Sequence, residues 1–295
     1  MTDSPQILRY AAFTTDPRGG NPAGVVLDAG GMSDAEMQRI AAEIDYAETA
    51  FVTGAENGIR VIRYFSPIAE VPFCGHATIA TAVAIAERDG VGEIRFRTPV
   101  GEIPIVTDAE AGDAGAADGA AAAPVGISAA FTSVEPAVEP LDDAALSQIL
   151  SMTSLSETQL DQRYPPRVAF AGNRHPIVVV ADADVFDSFT FSPVVARSLM
   201  DVEGWAGTIT MLRSIGATEF EARNIFPVGR ITEDPATGSA AASLGGYLRD
   251  LGLVEPPARV IVHQGRHVGR PSVLTVDIPA TGGITVSGSA VPIPA

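Results

Sequence analysis

The residues of this chain best placed to do chemistry stand at the entrances of two runs of small residues. The later run, Glu233-Asp234-Pro235-Ala236-Thr237-Gly238-Ser239-Ala240 and on to Leu248, reads as a polar turn feeding a helix. Asp234 suits the cap before that helix and Pro235 its first turn. Gly238 and Ser239 leave backbone N–H groups uncovered, and such a helix start attracts anions through those groups and the helix dipole. The earlier run, Phe73-Cys74-Gly75-His76-Ala77-Thr78 and on to Ala86, has the same form, with His76 in its first turn. An imidazole there donates a hydrogen bond to a substrate oxygen or relays a proton. Cys74 invites a thiol-nucleophile reading, but two side chains so close on one helix start are expected to diverge, and Cys74 reads as a small buried residue. Ser239 lacks Ser-His-Asp spacing and reads as a carboxylate binder, not a nucleophile. His263 and His267 flank Gln264-Gly265, which breaks any helix, so helical metal-ligand geometry is not expected and no metal site is read.

Composition narrows the chemistry further. The formal net charge of -17 argues against nucleic acid and anionic membrane surfaces as partners. The sequence contains no lysine, which closes Schiff-base chemistry, including that of pyridoxal phosphate, and the lysine-dependent phosphate loop. Cys74 is the only cysteine, so neither an internal disulfide nor a zinc–thiolate cluster forms from this chain. No signal pattern and no membrane-length apolar run is evident, and a reducing cytoplasm is the expected location.

The elements that must carry these residues repeat. Ser33-Asp34-Ala35-Glu36 is a capping box opening a helix through Met37, Ile40 and Ile44. Ser192-Pro193 opens its counterpart. Gly20-Asn21-Pro22 and its following strand resemble Gly172-Asn173-Arg174-His175-Pro176, and Arg63 to Pro67 resembles Arg223 to Pro227. Each half then reaches its Gly-rich helix start. Similar matches in the same order point to a duplicated domain. Two copies packed about a pseudo-two-fold axis are expected to turn their helix starts toward one cleft, a site for a carboxylate or a developing oxyanion. Residues 108–124, almost all Ala, Gly and Asp, read as a flexible surface loop.

Gly20-Asn21-Pro22, Ala47-Glu48-Thr49, Pro72-Phe73-Cys74-Gly75-His76-Ala77-Thr78, Asp234-Pro235-Ala236-Thr237-Gly238-Ser239-Ala240 and Gln264-Gly265 with Gly269-Arg270-Pro271-Ser272 together resemble the phenazine-biosynthesis PhzF-like family, kin to diaminopimelate epimerase and proline racemases. The resemblance implies an α+β fold of two similar domains, each a bent sheet or barrel around a central helix. Residues 1–136 with 279–295 are expected to form one and 137–278 the other. It implies a cofactor-free isomerase that moves a proton on a small carboxylate-bearing, dihydro-hydroxyanthranilate-like or amino-acid-like substrate. In that reading Glu48 is the acid/base and His76 and Asp234 line the site, with Asp234 keeping His76 or Glu48 in the right protonation state. Gly75, Gly238 and Ser239 bind substrate, and family members are often homodimers. Ala47 stands where the family often has serine, which weakens the case for the known substrate. Two-base epimerases of this kind use paired thiols. Here Cys74 occupies the first position and Pro235 the second, so two-thiol racemisation is excluded. A binding protein that has lost turnover, and a lyase or hydratase on the same scaffold, are the competing readings.

Overall fold

A computed structural model of the chain describes residues 5–111, 124–228 and 231–294. The chain divides into two compact units, Met1–Phe131 with Ser287–Ala295, and Thr132–Val286. Among the described residues no helix is long and apolar enough to cross a membrane.

The first unit runs β1 (Leu8–Ala12), β2 (Asn21–Val26), α1 (Asp34–Ile44), β3 (Glu48–Glu56), β4 (Ile59–Phe65), β5 (Glu70–Val71), α2 (Gly75–Asp89), β6 (Gly92–Thr98), β7 (Gly101–Ala111) and β8 (Pro124–Thr132). The second runs β9 (Ala137–Pro140), α3 (Asp143–Thr153), β10 (Arg167–Phe170), β11 (Arg174–Val179), α4 (Ala183–Ser188), α5 (Pro193–Glu203), β12 (Ile209–Ser214), β13 (Glu219–Ile225), β14 (Glu233–Asp234), α6 (Gly238–Asp250), β15 (Ala258–Gln264) and β16 (Ser272–Ile278). The last strand, β17 (Thr285–Pro292), begins in the second unit and ends in the first.

In the first unit β1 pairs antiparallel with β2, β2 parallel with β3, β3 antiparallel with β4, and β4 parallel with β6. Antiparallel pairs β6–β7 and β7–β8 follow, and β17 pairs with both β1 and β8. The sheet therefore closes on itself around α2, whose residues from His76 to Ala86 are all buried. A helix that is apolar all round belongs inside a fold, and only its alanines let strands approach from every side. Outside the barrel, α1 carries the expected capping box, with Ser33 and Glu36 bonding each other's backbone N–H groups. It lays Met37, Ile40 and Ala41 against Val26, Phe51 and Phe65.

The second unit repeats the order. The pair β10–β11 is antiparallel, β11–β12 parallel, β12–β13 antiparallel, β13–β15 parallel and β15–β16 antiparallel. Here α5, capped by Ser192 with Pro193 in the first turn, takes the place of α1, and α6 that of α2. Small residues in α6 are a packing requirement. A Cβ on Gly245 would sit 2.7 Å from the Ile284 methyl, and one on Gly246 2.5 Å from the Pro136 ring. The sequence repeat thus corresponds to a repeated topology.

Several local expectations need correction. α6 begins at Gly238 with Thr237 as its cap, so Pro235 lies outside the helix and Asp234 is not its cap. Asp234 is held in β14 by pairing with Asn224 of β13, and the strand ends before the helix can start. Residues 108–111 and 124 are not loop but belong to β7 and β8, and residues 112–123 of the supposed loop lie outside the described residues. β5, β9 and α4 are too short to show a period in the sequence.

β14 owes its position to a buried ion pair. Arg223 bonds Glu233 through Nη2 at 2.5 Å and donates Nη1 to the carbonyls of Phe186 and Phe189. Both charged side chains are less than one-tenth exposed, at 8% and 9%. Glu233→Ala would leave the guanidinium buried without its counter-ion. The expected loss is about 3–5 kcal/mol, read in denaturant from the fluorescence of Trp205, the sole tryptophan and part of the second unit's core.

Candidate active site

In the first unit, β3 starts at Glu48, in register with Ala23 of the parallel neighbour β2. Its side chain is 18% exposed, enough to reach solvent or ligand. Glu48 Oε2 lies 3.5 Å from Cys74 Sγ and 3.5 Å from His76 Nε2. Cys74 Sγ is also 3.3 Å from His76 Nδ1. The expected divergence of thiol and imidazole is therefore wrong. Cys74 sits at the helix cap in an extended conformation, which swings its side chain back over the first turn. That cap makes no side-chain hydrogen bond to the helix, so the first-turn N–H groups rely on other partners. A Cβ built on Gly75 would find only ordinary contacts, the nearest being Phe131 at 3.9 Å, so the fold itself does not demand glycine there.

His76 is buried, and burial lowers its pKa to about 3, against a weaker opposing hydrogen bond with the Pro22 backbone. Proline has no N–H, so this bond runs from a ring N–H to the Pro22 carbonyl. One ring nitrogen is thus a donor and the other keeps its lone pair. At neutral pH His76 adds no positive charge beside Glu48.

In the second unit, Asp234, Thr237 and Gln264 interlock. Thr237 Oγ1 donates to Asp234 Oδ2 at 2.5 Å, and Gln264 Nε2 donates to the Asp234 carbonyl at 2.6 Å. Gln264 Oε1 accepts the Thr237 N–H at 3.1 Å, so a side chain from β15 caps the start of α6. Gly265 follows at φ +81, and a Cβ there would fall 2.6 Å from the Pro235 carbonyl, which only glycine avoids. Gly238 and Ser239 open α6 as its first two residues.

Ser239 Oγ lies 3.0 Å from Nε2 of His175, a residue sequence reasoning did not single out beyond its place in the repeat. His175 Nδ1 lies 3.0 Å from the Thr208 nitrogen, 3.2 Å from its carbonyl oxygen and 3.0 Å from its Oγ1, and the ring's tautomer sets the direction of the Nε2–Ser239 bond. Gly207 makes this placement possible: a Cβ there would lie 2.5 Å from the imidazole. Burial also drives His175 toward the neutral form, with its pKa lowered to about 4. A histidine between Arg174 and Pro176 carries no periodicity that could have revealed it. His263 and His267 are not brought together on a ligand. His267 bonds Asp187 at 3.1 Å, and His263 approaches Glu219 at 4.0 Å.

The site thus joins a carboxylate and a neutral, buried imidazole at the start of a small-residue helix enclosed by a barrel. The chain belongs to the phenazine biosynthesis-like protein family, whose model matches residues 10–294. It is 32% identical to an isomerase of Salmonella typhimurium, YddE, over 97% of this chain and 96% of that one. It is 28% identical to the trans-2,3-dihydro-3-hydroxyanthranilate isomerase of Pseudomonas fluorescens, over 89% of this chain and 86% of the relative. Among solved structures it resembles the PhzF-family protein of Bacillus anthracis, with a TM-score of 0.83 and 26% identity over 98% and 96% of the two chains. The protein is an isomerase of the α+β, epimerase-like fold.

The two buried histidines contribute to the pH dependence of stability in acid. A native pKa depressed below the unfolded value of about 6.5 means that the unfolded chain binds more protons between the two values. Stability is then complete above about pH 6.5 and falls as pH drops toward about 4 for His175 and about 3 for His76. Each should cost on the order of 2 kcal/mol between pH 7 and pH 5. Denaturant melts followed at Trp205 should show this loss in the wild type, and His175→Gln should remove its share. A second expectation concerns function. His175→Ala should lower kcat/KM roughly tenfold, about 1.4 kcal/mol, whereas His175→Gln, which retains a donor, should recover much of it. Combined with Ser239→Ala, the His175→Ala loss should be less than additive in steady-state kinetics.

Proposed function

We propose that the protein is a cofactor-independent isomerase that moves a proton within a small carboxylate-bearing substrate, with Glu48 as the single acid/base. The observation that carries this reading is the placement of the Glu48 carboxylate 3.5 Å from a buried, neutral His76 at the start of α2. A base that must also return its proton needs both of its protonation states within reach. A charged imidazole at that distance would favour the carboxylate form strongly. A neutral one supplies hydrogen bonding without that bias.

In the proposed reaction Glu48 takes a proton from a carbon activated by the substrate's unsaturation. The electron pair moves through the conjugated system, and the same carboxyl returns the proton to a different carbon. Nothing is gained or lost by the substrate, so neither oxidant nor cofactor is needed. One carboxyl suffices because the proton leaves and returns on one face, which fits a chain with a single thiol and Pro235 at the other family thiol position. First-turn N–H groups of α2 at Gly75 and His76 are proposed to bind substrate oxygens, as helix starts do. Asp234, Gly238 and Ser239 are proposed to act in the same reaction. The support for them is their own setting: an interlocked Asp234-Thr237-Gln264 group and a serine hydroxyl hydrogen-bonded to the buried His175. The substrate proposed first is trans-2,3-dihydro-3-hydroxyanthranilate, because a relative bears the name of its isomerase.

Incubation with that compound in deuterium oxide should incorporate solvent deuterium at carbon. Glu48→Gln should reduce turnover at least a thousandfold while its melt stays close to wild type. Wild-type rates in that variant would remove Glu48 from the mechanism. Gly75→Ala, for which the fold has room, should leave stability within about 1 kcal/mol yet raise KM, because its methyl would occupy the space a substrate oxygen needs.

A further inference from the structure

Glu48, Cys74 and His76 place one oxygen, one sulfur and one nitrogen within 4.8 Å of one another. We propose that this trio is also a zinc site, in which one Zn²⁺ is held by the Glu48 carboxylate, the Cys74 sulfur and a ring nitrogen of His76, and that its occupation blocks the isomerase.

The separations fit the ion. Zinc bonds sulfur at about 2.3 Å and nitrogen or oxygen at about 2.0–2.2 Å in tetrahedral geometry, which requires ligand–ligand distances of about 3.3–3.6 Å. Sulfur and carboxylate oxygen are 3.5 Å apart, and carboxylate oxygen and His76 Nε2 are 3.5 Å apart. Sulfur lies 3.3 Å from one ring nitrogen and 3.8 Å from the other. Shifts of a few tenths of an ångström would complete the three-sided set. The donor types are those of zinc and not of magnesium or calcium, which take oxygen alone. His76 also has the outer support usual for a metal-bound imidazole, a hydrogen bond from the ring to the Pro22 carbonyl that fixes its orientation. Three protein ligands leave a fourth position for water, as in an open zinc site.

Binding requires no redox step. The Cys74 thiol gives its proton to solvent as the sulfur bonds zinc, and the Glu48 oxygen that would receive a substrate proton becomes a metal ligand. The block rests on the acid/base role proposed for Glu48, whereas the site itself does not.

The test uses the full chain freed of metal and titrated with zinc chloride by calorimetry, with cobalt(II) as a spectroscopic stand-in. One equivalent should bind, and the cobalt form should show a thiolate-to-cobalt absorption in the near ultraviolet. Cys74→Ala should abolish that absorption and weaken zinc at least tenfold, and Cys74→Ser, closer in size, should do the same if the alanine variant folds poorly. A His263→Gln/His267→Gln variant should bind zinc as the wild type does. Absence of stoichiometric binding, unchanged affinity without the thiol, or loss in the double histidine variant would overturn the site. With the site occupied, deuterium incorporation should fall with the same midpoint as binding. Tight zinc with undiminished turnover would overturn the block alone, and tight zinc with no turnover under any condition would count against the isomerase substrate and leave the site standing.

Discussion

Each unit depends on enclosing a helix within strands. α2 and α6 are buried on nearly every face, so their side chains must be small and their flanking strands must pass close. Gly245 and Gly246 mark where even a methyl group would collide. A helix buried along its length has only its ends available for other business. At the N-terminal end, backbone N–H groups are unpaired within the helix and carry the positive end of its dipole. The packing requirement therefore produces the binding capacity: the alanine-rich composition that lets the barrel close also leaves the helix start uncovered by large side chains.

Much of this was legible in the sequence because the signals are local. The capping box at Ser33 and the Ser192-Pro193 start depend on neighbouring residues, and the structure places them as read. The start of α6 was misplaced because Asp-Pro is a good helix opener in isolation. What decides otherwise is distant in sequence. Asn224 pairs with Asp234, and Gln264 caps Thr237 from 27 residues away in the chain. Likewise, Cys74 converges on His76 because of the extended backbone at the cap, a conformation that residue types alone do not reveal.

The thiol's position sharpens the chemical argument. A two-base epimerase needs a group on each face of the reacting carbon, and this chain has one cysteine and Pro235 at the counterpart position. The surviving thiol is not idle filler. Its sulfur touches both the carboxylate and the imidazole, so it helps hold Glu48 and His76 in mutual reach. A single thiol, with proline at the counterpart position, is the pattern from which the proposed same-face return of the proton is argued.

The two units solve the same positional problem with the parts exchanged. In each, an imidazole fastens the start of the buried helix to the start of the strand that precedes α1 or α5. In the first unit the ring stands on the helix, and His76 reaches back to the carbonyl of Pro22 on β2. In the second the ring stands on the strand, and His175 of β11 reaches forward to the Ser239 hydroxyl on α6. Both rings are buried and neutral, so each link is a hydrogen bond and not an ion pair. A charged link would place a permanent cation at a helix start already positive from its dipole, at a large desolvation cost. The neutral link leaves that positive potential to the backbone, where it is fixed in place before any ligand arrives. The exchange also gives the two starts different chemistry: the first sets a buried imidazole beside a partly exposed carboxylate, and the second sets a hydroxyl beside a buried imidazole.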